Sequence, residues 1–283
     1  MISLGSSEDK IFIILSFLLQ SAGVDFVLYK NYDFLKSNID LLLHDIQSIL
    51  ARHSLSGIVF DLRVRGWPNV HSLKKAMNLS RALQNICDNL QINSSVFLCN
   101  GHQPLGNALG ATHELIEAGE VLKGKGPLDL QKYALEVGTD LLLLTKKFEQ
   151  KWEAKKFLKD EIIKGNAVHG FVLKNVHSPS HISSKKILKI SSPRKGYIHF
   201  LSMEAIFKTK SNLDSSCPGS GINLLKKVGD KTEKGDHLVE IFGPQNKELF
   251  QMKKDIQKAY IILSKLPDFQ PLILEKSGIK LHI

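Results

Sequence analysis

Residues 103–130 read QPLGNALGATHELIEAGEVLKGKGPLDL. Glycines at 106 and 110 punctuate a loop that leads into an expected helix over residues 112–123. Gly124 and the Gly126-Pro127 pair stop that helix, and a second begins near Leu128. Glycine permits a tight loop whose backbone amides and carbonyls face inward, and a helix N-terminus behind such a loop can hold an anion. Glu114 and Glu117 lie three residues apart and so share one helical face. Glycine loops before helices are common in α/β proteins, so the spacing alone is a weak signal.

Working outward, residues 57–64 (GIVFDLRV) form a short continuous apolar run ending in Asp61 and Arg63, as a buried parallel strand does. A helix over residues 72–90 follows, with an apolar stripe at Leu73, Ala76, Met77, Leu83, Ile86, Cys87 and Leu90. Residues 95–99 are the next strand, which enters the glycine loop directly. The unit is βαβ, expected right-handed, with any ligand at the strand C-termini. Upstream, Gly5, Ser6 and Ser7 precede an apolar helix over residues 11–19, and Ser6 or Ser7 can cap it while Glu8 and Asp9 complement its dipole. A strand over residues 24–29 and a helix over residues 39–55 complete the first half.

Downstream, helices are expected over residues 130–148 and 149–164, ending at Gly165. His169, Gly170, His177, Pro179 and Ser180 mark a turn-rich linker, which divides the chain into domains 1–178 and 179–283. The second domain opens with strands at residues 186–191 and 196–201. Residues 221–241 (GINLLKKVGDKTEKGDHLVEI) then give two short strands with corners at Val228-Gly229-Asp230 and Lys234-Gly235-Asp236. A final helix over residues 246–264 and the tail 271–283 close it.

The chain has 283 residues, 43% hydrophobic and 23% charged, which reads as globular. Lys and Arg number 38 against 28 Asp and Glu, a formal charge of +10 that suits phosphate-bearing partners or nucleic acid. The lysines are scattered in doublets with no aromatic platform among them, which favours a solvated basic surface over nucleic-acid binding. Cys87, Cys99 and Cys217 have no metal-ligand spacing and suit a reducing, cytoplasmic compartment. The run 11–19 is too short to span a bilayer, so no membrane partner is expected. His102 and His113 flank the loop and read as plain polar residues.

The string QPLG, Glu114, Glu117-Ala118, VLKG, Gly126-Pro127 and Asp129-Leu130 resembles the thymidine and pyrimidine-nucleoside phosphorylase family, whose version runs QPLG, GNALEV-x-EA, VLKG-x-GP-x-DL. The resemblance implies an α/β fold with an open, mainly parallel sheet and flanking helices. A smaller α+β C-terminal domain with a biotinyl/lipoyl-like hammerhead follows, and no exposed swinging-arm lysine sits in an M-K-M or D-K-A setting. It implies phosphorolysis of nucleosides to base and pentose 1-phosphate, with phosphate and nucleoside as partners, and leaves a homo-oligomer open. The family's phosphate loop, K-H-S-T-G-G-V-G-D-K/T, matches at Ser3, Gly5, Asp9 and Lys10, which makes Ser3 and Lys10 the candidate phosphate ligands. A potassium ion held by two main-chain carbonyls and a glutamate falls on Leu105, Ala108 and Glu117.

The departures from that pattern cluster at the same places. Met1 and Ile2 stand where the family has its phosphate-binding lysine and its histidine, and Glu8 replaces a glycine. The serine and threonine hydroxyls for phosphate fall on Leu28 and Asn38, and the serine and lysine that grip the pyrimidine fall on Asp45 and Ile49. Asp61 and Val64 are kept, Arg63 replaces a lysine, and Arg65-Gly66-Trp67-Pro68 rewrites a glycine loop. The N-terminal helical lobe of the family has no counterpart in the match. These changes imply weak or lost pentosyltransferase activity. The alternatives are a non-catalytic pseudoenzyme scaffold, a decayed coding sequence, or an enzyme for a nucleoside monophosphate such as AMP, with Arg63 and Arg65 on the extra phosphate.

Overall fold

Side-chain alternation along two strands sets the layers of the first half. In β3 (Ile58–Val64), Ile58, Phe60, Leu62 and Val64 join one apolar cluster, while Val59 belongs to another. In β4 (Ser94–Asn100) the same period of two sends Val96 and Leu98 to the first cluster and Phe97 and Cys99 to the second. Both faces of these strands are therefore covered, which is why they read as continuous apolar runs. The computed structural model describes residues 2–4, 10–19, 22, 27–31, 47, 57–64, 72–175, 187–214, 219–243, 247–268 and 270–279.

β1 (Ile2–Leu4), β2 (Val27–Asn31), β3 and β4 lie side by side in parallel. On one face packs α2 (Leu73–Asn89), through Ala76, Leu79, Leu83 and Cys87. The other face is covered by a helical layer built on α1 (Lys10–Leu18), α3 (Ala111–Leu122), α4 (Leu128–Leu144), α5 (Lys151–Ile163) and α6 (Asn166–Asn175). α1 is apolar nearly all round, and Ile11, Ile14, Leu15, Leu18 and Leu19 are all buried. A helix of that kind has to sit inside a layer of other helices. Each such side chain contributes about 1.5–3 kcal/mol on burial.

The second half builds two antiparallel sheets around its own apolar cluster. One runs β5 (Ala108–Leu109), β8 (Gly221–Leu224), β10 (His237–Phe242), β6 (Ile187–Ser191). The other runs β11 (Tyr260–Leu263), β7 (Gly196–Leu201), β9 (Lys231–Thr232). Helices α7 (Met203–Asp214) and α8 (Lys247–Ala259) pack on each other and supply Ile206, Leu213, Met252 and Ile256 to the same core. The architecture is thus mixed α/β with several sheets.

Four sequence expectations change. The helix expected to reach residue 264 ends at Ala259, and Tyr260–Leu263 is a strand. Its residues alternate buried and exposed, a period a helix cannot satisfy. The stretch around His169 and Gly170 is helical in α6, not linker. Met203–Asp214 is a helix the reading did not contain. The tail, expected to close the C-terminal part, instead returns to the first sheet, where β12 (Ile273–Lys276) pairs antiparallel with β4. The helix expected at 39–55, the rewritten loop 65–68, and the phosphate-loop positions Gly5, Glu8 and Asp9 lie outside the described residues, Gln47 alone excepted.

Candidate functional site

The loop between β4 and α3 leaves the C-terminal end of β4, and one carboxylate holds it. Glu117, on α3, accepts from the backbone amides of Asn107 at 2.8 Å and Ala108 at 3.0 Å through Oε1. Its Oε2 accepts from the Lys10 ammonium at 2.7 Å. Lys10 Nζ also donates to the Ala108 carbonyl at 2.6 Å. Lys10 and Glu117 are only 6% and 8% exposed, so this is a buried ion pair with hydrogen bonds on both partners. The residues expected for phosphate (Lys10) and for potassium (Ala108, Glu117) meet at one point. Leu105 buries its side chain in the cluster that holds Val59, Phe97 and Cys99, and Ser3 lies in β1, opposite Leu28 of β2.

Glycine is required where this loop passes the pair. Gly106 holds φ +69°, and a Cβ there would sit 2.3 Å from Glu117 Oε2 and 3.0 Å from Lys10 Nζ. Gly110 holds φ +112°, and its Cβ would meet the Ser220 carbonyl oxygen at 2.7 Å. That second close approach is where β5 joins β8, so the quoted stretch supplies a strand to the C-terminal sheet. Beside it the buried His113 ring lies tilted against Phe242, 4.4 Å between ring centres, with Nε2 donating to the Gly219 carbonyl at 3.3 Å.

A second ammonium grips the loop from the C-terminal part of the chain. Lys227 Nζ donates to the Gly106 carbonyl at 2.9 Å and ion-pairs with Asp129, the first-turn acid of α4. Asp129 accepts as well from the amides of Gly106 and Leu130. Burial pushes the Asp129 carboxyl up, but Lys227 and these amides outweigh it and hold the group below its ordinary range. Gln103 Oε1 accepts from the Val228 amide at 2.9 Å, fixing the same hairpin corner.

A polar cluster sits on the face of the sheet that carries Val59, Phe97 and Cys99. The Asp61 carboxylate, with no solvent exposure, is 2.7 Å from the Arg63 guanidinium. Arg63 lies 4.9 Å over the Tyr133 ring, which meets Phe97 edge-on. Cys99 Sγ donates to the Tyr133 hydroxyl at 3.4 Å. Burial first, and the Asp61 carboxylate next, push the Cys99 thiol up to about 12 and raise Tyr133 well above its ordinary value. Neither group is a nucleophile near neutral pH. Farther along β4, Ser95 donates to Asp140 at 2.6 Å, and Lys276 of β12 pairs with the same carboxylate. Burial raises the Asp140 carboxyl despite that partner.

No group of three or more histidine, cysteine or acidic side chains among the described residues forms a metal site, and no helix among them is long and apolar enough to cross a membrane. The pairing of Asp61 with Arg63, the ring of Tyr133 and the reach of Lys227 were missing from the sequence reading. Asp61 and Arg63 stood out at the end of an apolar strand and in the family pattern, but nothing there paired them with each other, and Lys227 carried no signal, being 98 residues from Asp129.

With this geometry in view, the chain is similar to pyrimidine-nucleoside phosphorylases. The protein of that name from Staphylococcus epidermidis is 30% identical over 223 residues, covering 72% of this chain and 52% of the relative. The one from Staphylococcus aureus is 29% identical over the same shares. The chain spans about half the length of the curated relatives it matches. No protein-family model matches it. The likeness supports kinship with the nucleoside phosphorylases on sequence grounds.

Proposed function

We propose that this chain is a divergent protein of the nucleoside phosphorylase type that keeps the scaffold of the active-site floor and has weak or no turnover. Phosphorolysis moves a pentosyl group from base to phosphate, and charge develops at both ends of the breaking bond, so an enzyme needs fixed donors on phosphate and on the leaving base. The observation that carries the reading is the state of two buried cations, Lys10 at the start of α1 and Arg63 near the end of β3. Lys10 is committed to Glu117 and Arg63 to Asp61, both at 2.7 Å and both buried. A cation already neutralised inside the fold has little charge to offer an incoming phosphate. The sequence adds that Glu8 replaces a glycine in the phosphate loop, and that Asp45 and Ile49 occupy the places of the base-binding serine and lysine. Losing one such donor costs about 100- to 1000-fold in rate, so several together leave little. On this reading the antiparallel β-rich part after residue 187, with its hammerhead-like corners, serves as a rigid cap on the loop, and the protein acts as a binding scaffold in a cytoplasmic setting.

The test is phosphorolysis of thymidine, uridine and AMP at saturating phosphate, followed by base release from protein shown folded by circular dichroism. The expected result is release no faster than the no-enzyme control for all three. Turnover that disappears in Arg63→Ala or Glu117→Ala overturns the reading. Turnover on AMP alone favours the monophosphate alternative, which requires Arg63 to leave Asp61.

A further inference from the structure

We infer that the Lys10 ammonium is a built-in cation: it occupies the place that a monovalent metal ion takes between the Ala108 carbonyl and the Glu117 carboxylate, and it frees this protein from any need for potassium. The expectation from sequence was a potassium ion on Leu105, Ala108 and Glu117. The residues do not fit that ion as the chain is folded. Lys10 Nζ lies 2.6 Å from Ala108 O and 2.7 Å from Glu117 Oε2, on two of the three residues the ion was expected to use. A potassium ion on those atoms would have to share bonding distance with an ammonium of like charge.

Room is also lacking. The loop closes so tightly that a Cβ on Gly106 would stand 2.3 Å from Glu117 Oε2 and 3.0 Å from Lys10 Nζ. Hard cations of the calcium and magnesium type gather about six oxygens, whereas Glu117 Oε1 is already spent on the amides of Asn107 and Ala108. An ammonium has three directed donors, and two of them meet one carbonyl and one carboxylate here. Being tethered to α1, it also binds without losing translational freedom, which a free ion must give up. The consequence is a permanent link among α1, the 103–108 loop and α3. It does not depend on whether the protein turns over a nucleoside.

The test reads thermal stability and ion binding, not activity. The full chain is melted in potassium chloride and in choline chloride at equal ionic strength, and the wild type is expected to melt at the same temperature in both. Lys10→Ala is expected to melt lower in choline chloride and to rise saturably with potassium, by about 2–3 °C at ten times its dissociation constant. Adding Glu117→Gln should abolish that rise. A folded Lys10→Ala with no potassium-specific rise overturns the inference. So does a wild type that needs potassium, or that binds one thallium(I) ion, a potassium probe read by its own nuclear resonance, in a manner lost in Glu117→Gln. Should Lys10→Ala not fold in either salt, the thallium titration of the wild type still decides: absence of binding supports the built-in cation, and stoichiometric binding overturns it.

Discussion

Gly106 shows how closely single residues are constrained at the loop. Its φ of +69° is a region that side chains avoid, and its missing Cβ is what lets the backbone pass Glu117. Gly106→Ala must either strain the backbone or push the carboxylate off Lys10. A loss of roughly 2–4 kcal/mol is expected, read as a lower urea midpoint with unchanged slope, and a shift under about 0.5 kcal/mol would contradict the geometry. Cys99 gives a pH signature at the same scale. Its thiol rises from 9.0 to about 12 on folding, with burial the main cause. The folded state therefore holds the proton after the unfolded chain has released it, so stability is intact below pH 9.0 and falls as pH climbs toward 12. The slope should approach about 1.4 kcal/mol per pH unit. The difference between wild type and Cys99→Ser, measured by urea unfolding at pH 8 and pH 10.5, isolates it. An equal difference at both values would mean that the thiol ionises in place.

At the level of elements, legibility followed the physical origin of each signal. Strands β3 and β4 were readable because burial on both faces makes them apolar throughout, and α1 because its burial on all sides does the same. Where a stripe met a terminator, as at Gly124 after α3, the boundary fell within a residue of the expectation. The misses share one cause, tertiary pairing that no local pattern announces. β11 looks like the end of a helix until Tyr260–Leu263 is laid against β7, where alternate residues point into the core. β12 carries a short, half-exposed run, and tertiary contacts give it a place: its ladder to β4, the bond from the Val96 amide to Ser277 Oγ and the pair of Lys276 with Asp140. The candidate site was legible as residue types for a similar reason. Glu117 and Lys10 stand in motifs, but that they meet each other depends on α1 and α3 packing, 107 residues apart in sequence.

For the whole molecule, the two halves are fastened across the loop rather than only joined by the chain. β5 adds to the C-terminal sheet, β12 adds to the first sheet, and Lys227 and Val228 hold Gly106, Asp129 and Gln103 from the hairpin side. The Lys227–Asp129 pair is the part of this fastening that pH can switch. Asp129 titrates below its ordinary 3.8 in the folded protein because Lys227 and two amides overcome the effect of burial. The unfolded chain takes up that proton first as pH falls, so the contribution is complete above 3.8 and disappears as pH drops through the lower folded value. The Asp129 side chain is 31% exposed, so the pair is worth about 1 kcal/mol or less after screening. Lys227→Met keeps the aliphatic stem and removes the charge. It should lower the urea midpoint at pH 7 and bring the two proteins together at pH 2.5, and 1 M salt at pH 7 should shrink the gap. A gap of equal size at both pH values would show that Lys227 holds the hairpin by packing and by its bond to the Gly106 carbonyl. The ionic link to α4 would then contribute nothing to keeping the halves together.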